Sequence, residues 1–93
     1  MCVDTCEVVK NKILEIEKML MELFYKNKNI KIINDIKKNI LELSNIITDE
    51  FKLQKLSLLE KKIKSYEKGL ICYSDLFFEE CMYILNCIEK GVC

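Results

Sequence analysis

The residues best equipped for chemistry in this chain are six cysteines, Cys2, Cys6, Cys72, Cys81, Cys87 and Cys93. A thiolate can act as a nucleophile, pair into a disulfide or bind a soft metal, whereas a buried thiol is a small apolar group. The neighbouring residue types narrow that choice. Histidine is absent, which excludes Cys–His and Ser–His nucleophiles, a histidine general base and any metal site containing histidine. A cysteine nucleophile would need a lysine or a helix N-terminus to activate it. The carboxylate pairs Glu15/Glu17 and Glu79/Glu80 lack an apolar flank that would raise a pKa, and are read as solvated or first-turn acids. No catalytic or cofactor-binding residue is assigned, and the chain is read as a non-enzyme.

Nucleic-acid chemistry is equally poor. The sequence has no arginine, so bidentate recognition of guanine or clamping of phosphate is unavailable. Lys37, Lys38, Lys61, Lys62 and Lys64 could touch a phosphate backbone without reading sequence. Tyr25, Tyr66, Tyr73 and Tyr83 are not interleaved with basic residues as a stacking platform requires. No specific nucleic acid is expected as a partner.

The elements that position the cysteines are helices. Proline is absent and glycine occurs only at Gly69 and Gly91, so few tight turns can be built, while helices lose nothing. Cys2, Cys6, Val9, Ile13, Ile16, Leu20 and Leu23 recur in alternating steps of four and three, an apolar stripe about 32 Å long. Asp4 and Glu7 resemble a capping pair, and Asn27, Lys28 and Asn29 interrupt the pattern as a turn. A second stripe runs through Ile33, Ile36, Ile40, Leu43 and Ile47. A third runs through Leu53, Leu56, Leu59, Ile63 and Tyr66, with Thr48 as its hydroxyl cap and Lys68–Gly69 as its stop. Ser74 and Asp75 open the last helix, which Lys90 and Gly91 close. The expectation is an all-α antiparallel four-helix bundle, up-down-up-down, with helices over 4–26, 30–47, 49–68 and 75–90. At 93 residues it forms one domain, 1–93.

The fourth helix stands apart. Leu76, Phe77, Phe78, Cys81, Met82, Tyr83, Ile84, Leu85, Cys87 and Ile88 leave it little polar face. A helix apolar nearly all round needs cover from both sides. Tyr73, Phe77, Phe78, Met82, Tyr83 and Leu85 are therefore read as a partner or homodimer surface. Charge is uneven along the chain although 15 lysines balance 15 acids overall. Residues 26–68 hold eleven lysines against six acids, and both flanking segments are acidic.

An up-down-up-down bundle brings the start of helix one to the end of helix four, and with it Cys2, Cys6, Cys87 and Cys93. Three states of this group are open: reduced buried thiols; disulfides such as Cys2–Cys93 and Cys6–Cys87; or a tetrathiolate metal site formed by the same four. Six cysteines allow about 15 pairings, and spacing does not choose among them. Cys72 and Cys81 are too far apart along a helix start to pair unless the loop folds back.

Six cysteines ending in Cys87-x5-Cys93 resemble the saposin-like lipid-binding proteins. Those proteins open with Cys-x2-Cys and carry their third and fourth cysteines mid-chain; here Cys2 and Cys6 are Cys-x3-Cys, and Cys72 and Cys81 come late. Glu42-Leu43-Ser44, within 16–51, looks like the helical hairpin of small sporulation-regulating aspartyl-phosphate phosphatases. The catalytic acid that resemblance implies would fall at Thr48, which has no carboxylate. Neither family is assigned.

The leading functional expectation is a small protein–protein interaction module, a regulator or inhibitor of the kind phages and mobile elements encode. The alternatives are a disulfide-stapled helical module that binds lipid, and a Cys-only metal binder. Met1 is not followed by a charged and then an apolar leader segment, and no run of 18 apolar residues occurs, so a cytoplasmic location is expected. Disulfide bonding of the cysteines would instead imply secretion.

Overall fold

Each turn between helices is set by a residue that supplies the hydrogen bonds a helix end lacks. The computed structural model describes residues 5–26 and 29–90, which form four helices and no strand. They are α1 (Thr5–Lys26), α2 (Ile30–Ile46), α3 (Glu50–Glu67) and α4 (Asp75–Glu89). Asn29 caps α2, its Oδ1 accepting from the amides of Lys31 at 3.0 Å and Ile32 at 3.3 Å. Asp49 caps α3 in the same way, through Phe51 N at 2.9 Å and Lys52 N at 3.3 Å. The cap is thus Asp49 and not Thr48, because a carboxylate is the stronger acceptor for two amides at the positive end of the dipole. Ser74 caps α4 through Phe77 N at 3.2 Å.

The end of α3 is a Schellman motif. Leu70 N donates to Ser65 O at 2.9 Å and Gly69 N to Tyr66 O at 3.0 Å, while Gly69 takes φ +78°. Only a residue without a Cβ adopts that conformation without strain. The chain then runs through an apolar loop, Leu70–Ile71–Cys72, before α4 begins.

Short turns force successive helices to be antiparallel. Each helix packs against two neighbours, α1 on α2, α2 on α3, α3 on α4 and α4 back on α1; among the described residues no pair of α-carbons comes within 8 Å across either diagonal. The bundle is a closed ring of four seams, 42 × 24 × 19 Å. Its core is the set of periodic stripes: Val9, Ile13, Ile16, Leu20 and Leu23 from α1; Ile33, Ile36, Ile40 and Leu43 from α2; Leu56, Leu59, Ile63 and Tyr66 from α3. Ile47 joins them from the α2–α3 turn. No polar or charged side chain is buried among the described residues. Leu53 and Cys6, expected on the stripes, are only half-buried; both stand in the first turn of their helix. Asp4, Asn27, Lys28 and Gly91 lie outside the described residues.

A Cβ added at Gly69 would meet nothing within 4 Å, so Gly69→Ala tests the backbone alone. The substitution should cost about 1 kcal/mol and Gly69→Asn less, read as the loss of Tm in thermal unfolding. An unchanged Tm for Gly69→Ala would contradict the left-handed cap.

Candidate interaction surfaces beside the fourth helix

The apolar residues of α4 divide three ways once their neighbours are in place. Phe77, Cys81, Ile84, Leu85 and Ile88 face inward and are buried. Phe77 and Leu85, expected on a partner surface, are therefore core residues of this chain. The inward stripe of a helix 3.6 residues per turn takes positions 77, 81, 84, 85 and 88 together. Phe78 and Met82 are half-buried and pack against the edge of the core, as does Tyr73 ahead of the helix. Leu76 and Tyr83 remain 64% exposed, on the flank toward α3.

Six of the eight aromatic residues gather at one end of the bundle. Phe24 and Tyr25 close α1, Tyr66 closes α3, and Tyr73, Phe77 and Phe78 open α4. Antiparallel packing brings those termini together. The rings form a connected set: Phe24 lies 5.4 Å from Tyr25, 5.7 Å from Tyr73 and 6.0 Å from Phe78. Tyr73 in turn meets Tyr66 at 5.5 Å and Phe77 at 4.8 Å. The Tyr73 hydroxyl donates to Leu20 O at 2.6 Å, which ties the α3–α4 loop to α1. Burial, then the nearby Cys81 and Tyr66, push the Tyr73 hydroxyl well above the ordinary phenol range. The expectation from sequence included Tyr73 but not Phe24 or Tyr25. The signal for Phe24 was available: Leu14, Met21 and Phe24, at i, i+7 and i+10, form a second apolar stripe on α1 beside the core stripe.

That second stripe borders the α1–α4 seam. Met21, Phe24, Tyr25, Asp75, Phe78 and Glu79 enclose an open groove of about 290 Å³. Leu14, Met21 and Phe24 are 52%, 48% and 43% exposed. On the other flank of α4, Lys55, Leu58, Lys62, Leu76, Glu79, Glu80 and Tyr83 line a shallower depression. There the Lys55 ammonium sits 5.4 Å from the Phe51 ring and 6.0 Å from the Tyr83 ring, a cation bridging two exposed aromatics.

The four seams differ in charge. Lys12 pairs with Glu42 across α1–α2, Lys37 with both oxygens of Glu67 across α2–α3 at 2.8 and 3.0 Å, and Lys62 with Glu80 across α3–α4. The Lys12 hydrogen bond holds the Glu42 carboxyl below its usual range. Among the described residues no ion pair crosses α1–α4. Glu17 of α1 instead faces Glu89 of α4, and burial followed by the Glu89 charge pushes the Glu17 carboxyl up.

Cys72, Cys81 and Cys87 are free thiols, exposed, buried and half-buried respectively. Cys87 is therefore not joined to Cys6, which corrects the expected Cys6–Cys87 pairing. Cys87 lies one turn from Tyr83, and their side-chain hydrogen bond raises the Tyr83 hydroxyl. Cys6 is itself disulfide-bonded. Cys2 and Cys93 lie outside the described residues, and with them the expected Cys2–Cys93 bridge and half of the tetrathiolate site. Among the described residues no group of three or more potential ligands could hold a metal ion, and no helix is long and apolar enough to cross a membrane.

Comparison with protein-family models, with curated proteins and with solved structures finds no match to this chain.

Burial pushes the Cys81 thiol up to about 12 against an ordinary value of 9.0, with Lys62 opposing and Glu80 adding to the shift. A raised folded-state pKa means that the fold prefers the neutral thiol. Stability should hold below about pH 9 and fall as the pH rises toward about 12, with Tyr73 acting in the same direction. In denaturant unfolding, Cys81→Ala should lose less stability over this window than the unsubstituted chain; equal losses would show that Cys81 does not contribute.

Proposed function

We propose that this chain is a non-enzymatic interaction module, a small regulator or inhibitor that binds a protein through the apolar strips flanking α4. One observation carries the reading. The four stripes close an entirely apolar core by themselves, yet Leu14, Met21 and Phe24 on one flank and Phe51, Leu58, Leu76 and Tyr83 on the other stay in solvent. Apolar side chains grouped along a groove, beyond what the fold needs, mark a binding surface. The partner is another protein or a second copy of the chain.

The test compares Met21→Glu/Phe24→Ala and Leu76→Glu/Tyr83→Ala with Leu41→Glu, a control at an exposed leucine of α2. One of the flank variants should abolish self-association in light scattering at micromolar concentration, or capture of a protein from the native host. The Leu41→Glu control should change stability by no more than about 0.5 kcal/mol and leave the interaction intact. A clean monomer that captures nothing argues against the reading.

A second reading, a disulfide-stapled module of an oxidising compartment, is favoured by the bonded state of Cys6. Alkylation without reductant, followed by intact mass and peptide mapping, should label Cys72, Cys81 and Cys87 after unfolding and leave Cys6 protected. Six labelled thiols would eliminate the staple.

A further inference from the structure

Among the described residues three of the four seams carry a lysine–glutamate pair, and the exception is the seam that also carries the apolar groove. Asp75 and Glu79, both exposed, line the groove, and Glu17 and Glu89, both half-buried, extend the acidic rim farther along the seam. Of the three α1 lysines whose side chains are described, none pairs with them: Lys12 is engaged by Glu42, Lys18 lines the α1–α2 groove, and Lys10 stands two turns from Glu17. Helix α4 contains four acids and no lysine, with Lys90 only at its end. Among the described residues none of Glu17, Asp75, Glu79 and Glu89 forms an ion pair.

We propose that the α1–α4 groove receives a basic amphipathic helix of a partner protein, its apolar anchors against Met21, Phe24 and Phe78 and its cations on the acids of the rim. The inference rests on the interaction reading above and names the partner's chemistry at one of its two flanks. The charges choose among occupants. A second copy paired by a two-fold axis would set Glu17, Glu89, Asp75 and Glu79 against the same four residues, which repel. A lipid surface or a nucleic acid presents anions and is disfavoured on the same ground. The groove, about 290 Å³ and open, is small for a drug-like ligand but accommodates side-chain anchors. Glu79 and Glu89, ten residues apart on α4, span about 15 Å, so cations on two or three turns of a helix reach both ends of the strip.

Glu17 distinguishes a binding role from a structural one. Its ionised form is opposed by burial and by Glu89, so the fold gains nothing from the charge. The probes are two synthetic helices of about 15 residues with the same leucine pattern, one carrying lysines and the other glutamates on the polar face. Titrated into the full chain, the lysine peptide should bind roughly tenfold or more tightly than the glutamate peptide, and more weakly as salt is raised. Amide NMR shifts should map to Glu17, Met21, Phe24, Phe78 and Glu89. Glu17→Gln/Glu89→Gln should weaken the lysine peptide several-fold without lowering Tm, and Phe24→Ala should weaken both peptides. Equal binding of the two peptides, shifts confined to the other seams, or an affinity unchanged in the Gln variant overturns the proposal. If those results come with Leu76→Glu/Tyr83→Ala abolishing capture of a host protein, the partner chemistry fails and the interaction reading stands. If capture and self-association are also absent, both fail.

Discussion

Every other feature of this molecule depends on each helix burying a single stripe of isoleucine and leucine against two neighbours. The helices meet as neighbours around a ring, and the core is a column fed from all four sides. No buried polar side chain interrupts it among the described residues. A side chain either belongs to that column or lies on a seam, and the chemistry of the surface is decided seam by seam. Ion pairs then seal the seams between helices that follow one another in sequence. The α1–α4 seam joins the two helices farthest apart in the chain, and among the described residues no ion pair crosses it.

This arrangement explains why α4 can be apolar on most of its circumference in so small a protein. Its inward face supplies Phe77, Cys81, Ile84, Leu85 and Ile88 to the column, while Phe78 and Met82 extend the packing toward α1. What remains outside is a pair of narrow strips with different electrostatics. The strip toward α3 mixes Lys55 and Lys62 with Glu79 and Glu80, a balance compatible with a self-complementary contact. The strip toward α1 carries Asp75 and Glu79 beside its groove, and among the described residues neither is in an ion pair.

The aromatic end is a second consequence of the topology. Rings at two helix C-termini and one N-terminus meet because the helices alternate in direction, and the Tyr73–Leu20 hydrogen bond locks the longest loop onto α1. The cysteines are distributed by the same rule. Cys72 falls on the exposed loop, Cys81 on the inward stripe, and Cys6 and Cys87 toward the opposite end. Their different states follow from place and not from any property of the residue type.

Helix number, topology and the core of α1, α2 and α3 were legible in the sequence, because periodicity of 3.6 residues and the scarcity of turn formers act locally. The cap at Ser74 and the stop at Gly69 could be read for the same reason, although Asp49 displaced Thr48 once two acceptors competed for one helix start. The sequence also excluded chemistry that requires histidine or arginine, since a missing side chain needs no fold to be missing. Tertiary structure alone decided which side of α4 is buried: Phe77 and Phe78 are adjacent and chemically identical, and only the placement of α1 and α3 separates core from groove. It likewise decided that Cys87 does not pair with Cys6, and that Glu17 faces Glu89 across a seam that no ion pair crosses among the described residues. Contacts between residues seventy apart in the chain depend on helix rotation within the ring, which no local pattern encodes.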